Sequence, residues 1–239
     1  MRTAIQTSLL LGLSAHLAFS HYTWVAPTAS LEPGKPATIQ ISHGDVFPNG
    51  DEAINAAQVE LYVLAPSGAK TKLNPAKSGD TVTAPFTPKE AGPHRLVMIQ
   101  DRGITSRTPQ GVKPGGRDKN PTATQASRTF RTAISYLNAK TAKPIGLELE
   151  LTAERTASAW QVQLLKHGKP AAGVTIEVLL PGASKGIATG KTDSAGKFSW
   201  TPPANAKGPA MFSAMFKDPA PSGASYDAIN YETSLYVSW

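Results

Sequence analysis

The sequence predicts an all-β protein of two sandwich domains, immunoglobulin-like or transthyretin-like, and three observations carry that prediction. Helical periodicity of 3.6 is almost absent, short runs alternate apolar with polar residues, and Gly, Pro, Asn and Asp punctuate those runs. The 20 glycines and 20 prolines are scattered through 239 residues, which excludes collagen, and a 40% apolar content excludes a wholly disordered chain. That length accommodates two domains, each able to bury a core of its own.

Taken in order, residues 37–43, 58–64 and 94–100 each read as a strand, separated by turns at Pro33-Gly34, Ser67-Gly68 and Gly92-Pro93. Residues 101–127 have no apolar period and contain Pro109, Pro114, Gly115, Gly116 and Pro121, which predicts a long exposed loop. In 128–137 the apolar residues Phe130, Ala133 and Leu137 are too irregularly spaced to choose between strand and short helix. A domain boundary is expected near Lys143-Pro144, giving an N-terminal domain over 21–142 and a C-terminal one over 143–239. Beyond it, 146–151 alternates Leu147, Leu149 and Leu151 against Glu148 and Glu150. Strands are expected at 160–164, 174–180, 197–201, 210–216 and 234–239, with a hairpin turn at 166–170 around His167-Gly168.

Residues 1–20 read as a secretory signal peptide. Arg2 supplies the positive start, Leu9 to Leu13 the apolar run, and Ala18-Phe19-Ser20 places small residues where a signal peptidase reads. The run is shorter than the roughly 20 apolar residues of a membrane helix, so the mature protein is expected to carry no transmembrane segment. Cleavage after Ser20 makes His21 the first residue, with a free α-amine beside its own imidazole. The chain stays basic without the peptide, because Arg2 is the one charge removed from a formal +7. Its charges are dispersed, with no basic stripe interleaved with aromatics, and nucleic acid is not an expected partner. With no cysteine, any metal must be held by nitrogen and oxygen.

Several short motifs carry a family resemblance. They are His21-Tyr22-Thr23-Trp24-Val25-Ala26-Pro27, Gly34, Ile41-Ser42-His43-Gly44-Asp45-Val46-Phe47-Pro48, Ala91-Gly92-Pro93-His94 and Pro144-Ile145-Gly146-Leu147-Glu148-Leu149. Together they resemble the secreted proteins classed as DUF4198, a family similar to NikM-like periplasmic components associated with nickel and cobalt uptake. The resemblance implies a bacterial periplasmic protein of two β-domains that handles transition metals, with an inner-membrane transporter or a metal-receiving protein as its partner.

The histidines point to a metal by their own chemistry. A mature N-terminal His offers its α-amine and Nδ1 to one ion, and a further imidazole completes the three-nitrogen set known as a histidine brace. That set suits Cu(II), which favours tetragonal nitrogen coordination, with Ni(II) or Co(II) as alternatives. The α-amine has an ordinary pKa of about 7.7–8.0, so protons compete little for it near neutrality. His43, ending a strand before Gly44, is the leading candidate for the third nitrogen. His94, opening a strand after Gly92-Pro93, is the second. His167 is expected to be exposed in its turn. The acidic stretch of Asp45, Asp51 and Glu52 does not follow a calcium-loop spacing and reads as a solvated turn, with Asp45 a candidate for orienting an imidazole. Trp24 and Phe47 read as core more than as walls of a site.

No Gly-x-Ser-x-Gly elbow and no Ser/His/Asp set appears, so hydrolysis is unsupported. The expected function is that of a periplasmic carrier or uptake component for copper, doing no chemistry itself. The alternatives are a nickel or cobalt uptake accessory protein and a copper-dependent polysaccharide monooxygenase built on the same brace. A purely structural adhesin-like protein is a third class and predicts no metal affinity.

Overall fold

A computed structural model describes residues 21–137, 141, 143–206 and 208–238; the segment expected to be a signal peptide, residues 1–20, lies outside them. The described chain is built from strands, with one short 3-10 turn at Ala56–Gln58, and none of its helices is long and apolar enough to cross a membrane. The first half supplies β1 (Tyr22–Pro27), β2 (Ala37–Gly44), β3 (Val59–Leu64), β4 (Lys70–Leu73), β5 (Ala76–Ser78), β6 (Thr81–Phe86), β7 (His94–Thr108), β8 (Gly111–Pro114) and β9 (Gln125–Leu137). The second supplies β10 (Leu149–Arg155), β11 (Trp160–Lys166), β12 (Lys169–Pro170), β13 (Thr175–Leu179), β14 (Ala188–Lys191), β15 (Lys197–Trp200), β16 (Ala210–Pro219) and β17 (Ala228–Val237).

These strands form three sheets. A nine-stranded sheet runs in the order β14-β13-β16-β17-β9-β7-β3-β4, with β8 added on β7. Its two halves are joined by the parallel pairing of β17 with β9, from Ala228 opposite Ser127 to Val237 opposite Tyr136. One sheet therefore crosses the Lys143-Pro144 segment. A small sheet, β1-β2-β6-β5, covers one face of it, and a second, β10-β11-β12 with β15 on β11, covers the other.

Alternation along the central strands divides their side chains between two cores. Leu61, Val63, Leu96, Met98 and Ala133 meet Val25, Ile39, Ile41 and Val82 of the first small sheet. Their sequence neighbours Tyr62, Val97 and Ile134, together with Phe212 and Leu235, meet Leu149, Leu151, Val162 and Leu164 of the second. Burying each large apolar side chain contributes about 1.5–3 kcal/mol. A sheet covered on both faces loses the apolar/polar alternation of a half-exposed one. That is why 128–137 shows no clear period although it is a strand, buried from Arg131 to Leu137.

The predicted loop at 101–127 is corrected by the structure. β7 continues to Thr108, turns into β8, and pairs with β9 again from Ile104 to Arg107 beyond a bulge at Asp101. Gly103 takes the left-handed φ of +71° that the bulge requires and donates its N–H to Asp101 Oδ1. The segment after β8 is tied down by Arg117, whose guanidinium grips Asp227 at 2.7 and 2.8 Å and donates to the Ala123 carbonyl. Backbone pairing and polar tethers, not apolar burial, order this region, so hydrophobic pattern could not show it.

Glu150 departs from the alternation read for 146–151. It is 1% exposed, and its carboxylate accepts backbone N–H bonds from Ile145, Gly146 and Leu147 at 2.6, 2.9 and 3.2 Å. A buried charge is tolerated when fully hydrogen-bonded. Glu150→Ala should therefore destabilise the protein by about 3 kcal/mol in urea denaturation, whereas Glu148→Ala, at an exposed position, should stay within about 0.5 kcal/mol.

Candidate metal centre

The site begins with the pairing of β1 and β2. Their antiparallel register sets Tyr22 opposite Gly44 and Thr23 opposite His43, so His21 follows on next to Asp45, one step past the ladder's end. The two imidazoles lie with ring centroids 5.1 Å apart and planes tilted by 45°. Thr23 Oγ1 sits 2.8 Å from His43 Nδ1 and fixes that ring.

The chain after β2 then folds back over the strand it has just left. Both Asp51 and Glu52 donate their N–H groups to the His43 carbonyl, at 3.0 and 3.2 Å. Two glycines make the return possible. A Cβ on Gly44 would lie 2.7 Å from Asp51 Oδ1, and one on Gly50 would lie 3.0 Å from Ser42 Cβ. The loop is pinned at its far side by Phe47, whose backbone N–H donates to the Ala183 carbonyl while its own carbonyl accepts from Gly182.

This return brings Glu52 Oε2 to 3.6 Å from His21 Nδ1, with Asp45 Oδ1 3.6 Å from His21 Nε2. Ligand atoms of His21, His43 and Glu52 all lie within 4.8 Å of one another. Two imidazoles and a carboxylate form a nitrogen and oxygen set able to hold a divalent transition ion.

Behind the histidines sits an ion pair from the central sheet, with Arg131 buried and Glu232 half-buried. Arg131 on β9 donates its Nε to Glu232, its partner in the parallel register of β17. His43, 7% exposed, is held at a pKa of about 4, first by burial and then by the Arg131 and His21 charges. It therefore presents a neutral ring with a lone pair at neutral pH, the form that binds metal.

The strand that carries His21 is itself anchored. Ser135 of β9 donates its hydroxyl to the Val25 carbonyl, and Ser234 of β17 donates to the Thr23 carbonyl. These bonds seat β1 across the β9–β17 junction and align His21 and His43 with Arg131 and Glu232.

His94 is not brought to this cluster. It pairs with Leu137, the last residue of β9, six residues and roughly 20 Å along the strand from Arg131 at the middle of β9. There it is 1% exposed, packed edge-on to Phe86 with its Nδ1 3.0 Å from the Gly92 carbonyl. The expectation that His94 joins His21 and His43 as a further ligand is thus corrected: the group of neighbouring ligand atoms is His21, His43 and Glu52, and His94 lies at the Leu137 end of β9. His167 lies in the exposed β11–β12 turn with φ of 49°, near Lys166 and Glu148. Trp24 and Phe47 are core, 2% and 0% exposed and packed edge-to-face at 5.5 Å.

Glu52 entered the sequence analysis only as part of an acidic stretch, while Thr23, Arg131 and Glu232 did not stand out at all. The pairing of His21 with Asp45 follows from strand register. The position of Glu52 follows from Gly44 and Gly50, whose role needs the folded loop.

The depressed pKa of His43 has a measurable consequence for the metal-free protein. The folded value, about 4, lies below the unfolded one, about 6.5, so on acidification the unfolded chain takes up the proton first. The contribution is complete above about pH 6.5 and lost as pH falls toward 4, on the order of 3 kcal/mol in all. Urea denaturation from pH 7 to 4 should show this slope in the parent and its loss in His43→Gln.

Among curated proteins none matches the sequence. Solved structures similar to this chain include the D0-D1 domain of intimin, 14% identical, covering 91% of this chain and 98% of that one at a TM-score of 0.24. Native alpha-2-macroglobulin from Escherichia coli spanning domains NIE-MG1 is 10% identical, with 89% and 97% covered and a TM-score of 0.25. Against the longer MG0-NIE-MG1 fragment, at 10% identity and a TM-score of 0.24, 81% of this chain spans 61% of that one. Likeness at this level decides nothing about function. The family model described as a domain of unknown function, DUF4198, matches residues 18–218, more than half of the sequence, and the chain belongs to that family.

Proposed function

We propose that the protein is a secreted, periplasmic carrier of a transition metal, with copper as the preferred ion, held by His21 and His43. One observation carries this reading: the two imidazoles lie 5.1 Å apart with Glu52 beside them, at the point where removal of a signal peptide would free an α-amine. In the processed chain that amine and Nδ1 of His21 supply two nitrogens. His43 supplies Nε2, because Nδ1 is engaged by Thr23. Glu52 supplies an oxygen from the side of His21 Nδ1, and Asp45, on the Nε2 side, orients the ring. Three nitrogens in this set favour Cu(II) over Ni(II) and Co(II). The kinship to nickel and cobalt uptake components keeps those two ions as the alternative cargo, with a membrane transporter or a metal-receiving protein downstream.

A carrier is favoured over a polysaccharide monooxygenase by the surroundings of the site. Such an oxygenase needs a flat surface for its substrate, commonly lined with exposed aromatics, yet Tyr22, Trp24 and Phe47 beside the histidines are all buried. Oxidation of chitin or cellulose by the copper-loaded protein and a reductant would decide for the enzyme instead.

The test is metal titration of the chain purified from the periplasm, with its N-terminus read by mass spectrometry. A chain that starts at His21 should bind Cu(II) more tightly than Ni(II) or Co(II). An N-terminal extension should weaken Cu(II) by more than about 100-fold, beyond the 10–100-fold typical of losing a supporting residue. In electron paramagnetic resonance, His43→Ala should lose nitrogen hyperfine coupling while His94→Ala and His167→Ala keep the parent spectrum. Equal affinity in the extended and processed forms would move the site elsewhere.

A further inference from the structure

A cleft opens beside His21, between β1 and the strands β16 and β17. His21 and Thr23 form one wall, Ser213 and Ser234 the other, and Arg131 and Glu232 line it as well. It is about as wide as a water molecule and open to solvent on one side. Neither Arg131 nor Glu232 is a ligand in the metal set described above, and burial, the largest influence on His43, keeps that ring neutral without the Arg131 charge.

Arg131 is 7% exposed, and among the described residues its one hydrogen bond runs from Nε to Glu232. The guanidinium has five N–H donors in a planar fork, and the terminal ones are left without a protein acceptor. Donors so placed favour an acceptor with negative charge, because hydrogen bonds between a guanidinium and an anion are stronger than those between neutral groups. Glu232 cancels part of the Arg131 charge, so a dianion gains little there. A monoanion that also touches a divalent ion is matched in charge, and the width of the cleft limits it to a few atoms.

We propose that this cleft is a binding site for a small monoanion of the size of azide, a halide or hydroxide, which takes an open coordination position of the metal at one end and the Arg131 fork at the other. The inference rests on the metal reading of His21 and His43 and assigns the cleft a ligand class of its own. Arg131 acts as a specificity residue for that anion, and Glu232 holds the guanidinium in place.

Azide is the probe, because its bond to Cu(II) gives a charge-transfer absorption. Processed parent protein and the double variant Arg131→Gln/Glu232→Gln, which removes both charges together and leaves no buried ion unpaired, are first titrated with Cu(II) and then with azide. The parent should develop the azide band, and the double variant should still bind Cu(II) but need at least about tenfold more azide, the loss expected for a charge-assisted contact. Arg131→Lys, which keeps the ion pair and loses the planar fork, should fall between them and guards against a variant that does not fold. Equal azide affinity in all three, or a parent that binds Cu(II) without any azide band, would overturn the anion site and leave the metal site standing. A parent that binds no Cu(II) would overturn both.

Discussion

The parallel pairing of β17 with β9 is the constraint on which the rest of the molecule depends. It joins the strands of the first and second halves into one sheet, so that both small sheets have a common surface to cover. It also sets Arg131 beside Glu232 and brings Ser135 and Ser234, from opposite halves of the chain, under β1. Parallel neighbours cannot be joined by a tight turn. Here the connection contains seven intervening strands, from β10 to β16, which is why the pairing closes late in the sequence and ties the two halves together.

The candidate metal centre inherits its order from that junction. β1 is an edge strand, and an edge left bare carries unpaired carbonyls. Ser135 and Ser234 satisfy two of them from the sheet beneath, which fixes the strand that presents His21. Arg131 and Glu232 then lie under the histidines rather than in solvent. Burial and positive charge hold His43 neutral, and the carboxylates of Glu52 and Asp45 offset that charge from the solvent side. The site thus lies between the guanidinium beneath and carboxylates above.

Polar groups carry much of the specificity that apolar packing leaves open. Glu150 gathers three backbone N–H groups, Arg117 and Asp227 lock the segment before β9, and the Asp101–Arg128 pair sits at the bulge of β7. Each joins residues that no periodicity relates. The same holds at the site, where Gly44 and Gly50 give room for a carboxylate that sequence reading left in a solvated turn.

What the sequence by itself determined is local. Alternating runs marked β2, β3 and the start of β7 in the first half and most strands of the second, the turn at His167-Gly168 was legible from its residues, and His21 and His43 stood out because their chemistry needs only a strand register to bring them together. What only the tertiary structure decided is whatever depends on long-range pairing: the shared sheet, the strand nature of 128–137 under cover on both faces, the extension of β7 through the predicted loop, and the separation of His94 from the other two histidines. The physical reason is that alternation reports which face of a strand is dry but not which strand lies next to it. His43 and His94 both mark strand ends, and only the order and direction of the strands between them sets those ends apart, one by Arg131 in the middle of β9 and the other by Leu137 at its end.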